Sequence, residues 1–156
     1  MRIASTGRFV FIAQWVAAVL LPAFFFIGRG LVGAQLGWLS VLGVVYGLFV
    51  IAVLMIPPIL TLFDRTVRRG KATRLGYDIA SFVMWAAFIV AGLTVSDAGD
   101  GPPLDSALTV WTGGAISQDA STAICSVAGA VIGLAYLATF VLAVVGIVRW
   151  RRPFDA

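Results

Sequence analysis

The densest set of side chains able to do chemistry lies in the stretch Phe63-Asp64-Arg65-Thr66-Val67-Arg68-Arg69-Gly70-Lys71-Ala72-Thr73-Arg74, with Asp78 four residues on. Guanidinium groups grip phosphate oxygens in a bidentate fork, and a nearby carboxylate can serve as general base or metal ligand. A phosphate-handling surface is therefore the sharp reading of this loop. The plainer reading is topological. Arg65, Arg68, Arg69, Lys71 and Arg74 then meet anionic lipid head groups, each cation near the surface contributing about 1 kcal/mol. Asp64 and Asp78 would pair with neighbouring arginines, and Asp78 stands where a helix dipole favours a carboxylate at its start. The plainer reading is preferred.

A second concentration is acidic: Ser96-Asp97-Ala98-Gly99-Asp100-Gly101-Pro102-Pro103-Leu104-Asp105. Oxygens separated by glycines are the raw material of a Ca²⁺ site, which takes six to eight oxygen ligands. The EF-hand spacing and its terminal Glu are missing, so a polar turn is the expectation. Arg29 is the lone cation positioned to meet these acids, and a pair with Asp97 or Asp100 is expected.

What the composition lacks narrows the chemistry further. The 156 residues contain no His, no Glu and no Asn, and Cys125 is the single cysteine. One chain therefore cannot form a disulfide, a His/Cys metal centre or a His- or Cys-based nucleophile pair. No cofactor, metal site or catalytic residue is expected. Cys125 reads as a packing residue at the head of an apolar run.

These side chains need elements to hold them, and the elements follow from hydropathy. The chain is 61% hydrophobic and 12% charged, with net charge +4, where soluble domains carry about 25% charged residues. Crossing a hydrocarbon core about 30 Å thick takes about 20 apolar helical residues. Four stretches qualify, at about 9–27, 38–62, 79–95 and 123–148. The reading is an all-α polytopic integral membrane protein, a single four-helix transmembrane bundle spanning residues 1–156, with loops at 63–78 and 96–122.

Four crossings put Arg2, Arg8, Arg65, Arg68, Arg69, Lys71, Arg74, Arg149, Arg151 and Arg152 on one side and Arg29 alone on the other. The positive-inside rule then makes both termini and the basic 63–78 loop cytoplasmic. The acidic 96–122 loop faces out. Trp150 would sit at the inner interface. The basic charge thus reports topology, and no nucleic-acid partner is expected. An apolar run leading to Val32-Gly33-Ala34 has the outline of a signal peptide, but it exceeds the usual h-region of about 7–15 residues. A retained first span is preferred. Arginine in place of lysine, together with the missing Asn, fits a GC-rich bacterial genome and its cell membrane.

Within the spans, Gly43-x-x-x-Gly47 and Gly129-x-x-x-Gly133 have the spacing that lets helices approach closely, within one bundle in preference to between copies. Gln14, Ser40, Tyr46, Ser81, Tyr136 and Thr139 are candidates for bonds between helices. Pro57-Pro58 should kink or break the second span, with a surface helix over 59–69. Ala107–Thr112 should form a short interfacial piece or lid, and Asp119-Ala120-Ser121 should cap the fourth helix.

In size and span count the chain resembles the small four-helix multidrug exporters and the fluoride channels. The exporters depend on a Glu in the first helix, where Gln14 stands here, and the channels carry an Asn-containing signature. The Asp–Arg loop is similar to that of lipid-head-group transferases, whose pattern has glycine after the first acid and three spaced acids. Here Arg65 follows Asp64 and only Asp78 is left. The leading expectation is a non-enzymatic accessory or scaffold subunit acting through helix packing and its outer loop, partnered by lipids and by a membrane protein or a second copy. A small oligomeric channel or transporter of a neutral or anionic solute comes second, and a cytoplasmic-face lipid-head-group enzyme third.

Overall fold

A backbone in hydrocarbon must satisfy its own hydrogen bonds, so each apolar run winds into a helix. The computed structural model describes residues 6–151. Arg2 and Arg152, and the side chains of Trp150 and Arg151, lie outside the described residues. In chain order the helices are α1 (Gly7–Phe26), α2 (Trp38–Thr61), α3 (Arg65–Gly70), α4 (Leu75–Thr94), α5 (Ala107–Trp111) and α6 (Gln118–Arg151), with a 3₁₀ turn at Gly28–Val32. Of these, α1, α2, α4 and α6 are long and apolar enough to cross a membrane. Among the described residues there is no strand, and the chain is an all-helical membrane protein.

The four long helices form a ring in the order α1, α2, α6, α4, with the closest association between α4 and α6. Apolar side chains gain little by leaving lipid tails, so such bundles are held by close approach of small residues. The buried side of α6 presents Ala128, Ala135 and Ala143, and α4 presents Ala87 and Ala91. Two phenylalanines of α1 act as knobs. Phe26 fills the space over Gly43 of α2 and lies near Gly47, while Phe24 fills the space over Gly92 of α4. A methyl group on Gly92 would lie 2.6 Å from the Phe24 ring. Gly129 and Gly133 instead face outward, with nothing within 4 Å of an added Cβ.

Several boundaries differ from the sequence expectation. Helix α2 runs through Pro57 and Pro58 to Thr61 without a break. A proline at position i removes the bond to the carbonyl at i−4, and for Pro57 that carbonyl is Val53. Tyr136 of α6 donates its hydroxyl to the Val53 carbonyl at 3.1 Å, satisfying the orphan from a neighbouring helix. The chain turns after Thr61, and the surface helix is Arg65–Gly70 because Asp64 caps it, its carboxylate accepting from Thr66 N–H at 2.9 Å. Helix α6 begins at Gln118, where the Ser117 hydroxyl accepts from Ala120 N–H at 3.2 Å. Ser121, expected as a cap, is buried and bonds elsewhere.

Candidate functional site

The polar side chains collect at the two ends of the bundle. At the acidic end, the 3₁₀ turn after α1 points Arg29 inward until it is 0% exposed. Its guanidinium pairs with the Asp97 carboxylate, and Nη1 reaches the Val95 carbonyl at 3.5 Å. Asp97 also accepts from the backbone N–H groups of Gly37, Leu39 and Ala98 at 2.7, 2.9 and 2.8 Å. Gly37 has no side chain with which to cap α2, so Asp97 caps that helix from another loop. Burial opposes the charged form of Asp97, but these three N–H donors and Arg29 outweigh it and hold the carboxyl below its usual range.

Asp100 takes a different partner, the Trp38 indole N–H at 3.1 Å. Gln35 N–H donates to the Asp105 carbonyl at 3.2 Å, and Gln118 donates to Leu104 at 3.2 Å. The acidic stretch is thus stitched to the neighbouring segments one residue at a time. Among the described residues no three acidic or sulfur side chains converge as metal ligands would. Over this end lies α5, capped by Ser106, whose hydroxyl also meets Ser121 at 2.7 Å. Ser121 donates to the Thr94 carbonyl at 2.8 Å, and Trp111 to Val32 at 2.7 Å. The sequence signals only one member of this hydroxyl chain: Ser106, directly before an apolar run, carries the N-cap signature.

At the basic end the roles of the two signs are exchanged. Asp64 is 2% exposed and accepts from Arg74 Nη2 at 2.7 Å. The same oxygen, Oδ2, lies against Gly146 of α6, where an added methyl would come within 2.7 Å of it. Asp78 is 1% exposed, and its partners are hydroxyls where arginines were expected. Thr6 donates to it at 2.9 Å, and Thr73 donates from the other side. Thr73 N–H also donates to the Gly7 carbonyl at 3.1 Å, tying the start of α1 to the loop before α4. Arg8, Arg65, Arg68, Arg69, Lys71 and Arg149 are exposed around these two buried acids.

Between the ends the interior is closely filled. Tyr77 donates to Gln14 at 2.8 Å, joining α4 to α1. Thr139 turns back on its own helix, Tyr46 faces outward, and Ser81 is buried. Among the described residues, a space of about 20 Å³ lies beside Asp64 and Tyr77 and one of about 10 Å³ beside Gln14, Ser81 and Thr139. Each has room for about one water.

Comparison with protein-family models, with curated proteins and with solved structures finds no match for this chain.

Proposed function

We propose that the protein is a non-enzymatic accessory or scaffold subunit of a bacterial cell membrane, acting through helix packing and its acidic outer loop, with the basic end in the cytoplasm. The closed interior carries this reading. A transport path needs polar groups along a continuous space, whereas here the interior spaces of about 10 and 20 Å³ hold roughly single waters. The polar side chains brace the ends, and the lid is left as a shaped surface with Leu31 92% exposed beside exposed Val110 and Trp111. The cationic excess at one end supports its cytoplasmic placement. The arginine-rich, Asn-free composition supports the bacterial source.

The test joins two measurements on the full chain. In liposomes loaded with small neutral and anionic solutes, release stays at the protein-free rate. In native membranes, a photo-crosslinker at Val110 yields one discrete membrane-protein adduct or a dimer, and Trp111→Ala abolishes it. Solute release that depends on Gln14 or Tyr46 would overturn the scaffold reading in favour of a channel. Diffuse labelling insensitive to Trp111 would overturn the role given to the lid.

A further inference from the structure

The segments that carry the exposed cations of the basic end are braced by the two buried aspartates, which makes their arrangement more than a spread of like charges. We infer that this end is a built seat for the head group of an anionic phospholipid, with α3 as its floor. Three separate segments contribute. Asp64 caps α3 while gripping Arg74 and resting on Gly146, so Arg68 and Arg69 of α3 and Arg149 of α6 share one support. Val67, buried under α3, pins the helix from below. Asp78 holds Thr6 and Thr73 together, and Thr73 is bonded to Gly7, so Arg8 is fixed beside the segment that carries Lys71.

Lys71 takes the left-handed conformation, with φ 47°, although Gly70 stands next to it. Among the described residues it is the one non-glycine with positive φ. The backbone turns here so that Lys71 is exposed while Ala72 and Thr73 go inward. No acid is exposed at this end among the described residues, because both aspartates are buried. Among the described residues the surface offered to a ligand is therefore of a single sign.

The apolar surroundings select a lipid over a free phosphate. Phe63 is exposed next to α3, and Phe9, Ile59, Leu75 and Val148 are exposed in the adjoining helix turns. A ligand contacting both sets must combine phosphate with acyl chains. This inference is independent of the scaffold proposal, since a channel could carry the same seat.

The test is lipid titration of the purified full chain in detergent, read by native mass spectrometry with phosphatidylglycerol and phosphatidylcholine in turn. Phosphatidylglycerol is retained at least tenfold more strongly, and Arg68→Gln with Arg69→Gln removes about tenfold of that preference. Asp64→Asn decides between a built seat and diffuse attraction. Asn still caps α3, but the grip on Arg74 weakens while the net charge becomes one unit more positive. A built seat then loses phosphatidylglycerol preference, whereas diffuse attraction gains it. Val67→Ala repeats the question without altering charge, and helicity by circular dichroism checks both variants. Loss of preference in Val67→Ala supports the seat; unchanged preference there, or increased preference in Asp64→Asn, overturns it. Competition by soluble glycerol phosphate at equal concentration would overturn the lipid assignment in favour of a free-phosphate site.

Discussion

The two ends of the bundle use the same ion-pair chemistry with the signs exchanged. At the acidic end the lone cation, Arg29, is buried, and Asp100 and Asp119 stay exposed. At the basic end the two acids among the described residues, Asp64 and Asp78, are buried, and Arg8, Arg65, Arg68, Arg69, Lys71 and Arg149 stay exposed. Each end thus withdraws its minority charge from the surface. The buried acids of both ends also organise the backbone: Asp97 caps α2, Asp64 caps α3, and Asp78 ties α1 to the approach of α4. The lesson is that charge asymmetry across the bundle is sharper on the surface than in the sequence.

The ends differ in how completely the pair is desolvated. Arg29 and Asp97 are both shielded, whereas the Arg74 side chain is 18% exposed. Removing one partner of a buried pair strands the other, at a cost of about 3–5 kcal/mol. Arg29→Ala is therefore the largest single effect expected, read as loss of stability in detergent by steric trapping or thermal unfolding. Asp64→Ala comes next, at about 1–3 kcal/mol, because it removes a cap and a hydrogen-bond acceptor while Arg74 can still reach water. Equal losses at the two ends would break the distinction between them.

Acid acts on stability through Asp97. Its carboxyl is held below the usual 3.8, so its contribution is complete above that value and declines as pH falls through the lower folded value. Stability accordingly drops on acidification below about pH 4, and Asp97→Asn, already less stable at neutral pH, shows a shallower acid limb. A smaller effect is expected from Tyr136→Phe, which leaves the Val53 carbonyl without its partner. Hydrogen bonds between membrane helices average about 0.6 kcal/mol. Smallest is Arg68→Gln, an exposed site, where stability changes by no more than about 0.5 kcal/mol even as lipid preference falls.

How much of this was legible in the sequence depends on what sets each feature. The four spans were, because hydrocarbon thickness imposes a length that no tertiary contact overrides. The isolation of Arg29 among acids was visible too, though the choice of Asp97 over Asp100 depends on which carboxylate meets the N–H groups of Gly37 and Leu39. The two glycine motifs look alike as text. One lies under Phe26 and the other faces outward, since the seam of α6 is drawn by Ala128, Ala135 and Ala143. In a chain rich in small residues, spacing alone does not identify the buried face. The double proline misleads for a related reason: the Val53 carbonyl that Pro57 orphans is taken up by Tyr136, 83 residues beyond Val53. Likewise Asp78, expected beside an arginine, is served by two threonines brought in from separate segments.

A double-mutant cycle on Arg29→Met and Asp97→Asn tests the account of the buried minority charge most directly. Coupled residues in one network give interaction energies of about 0.5–3 kcal/mol. The account predicts a value toward the upper end, with the double variant more stable than Arg29→Met alone because no unpaired carboxylate stays buried. Additive losses, or a double variant less stable than either single one, would contradict it.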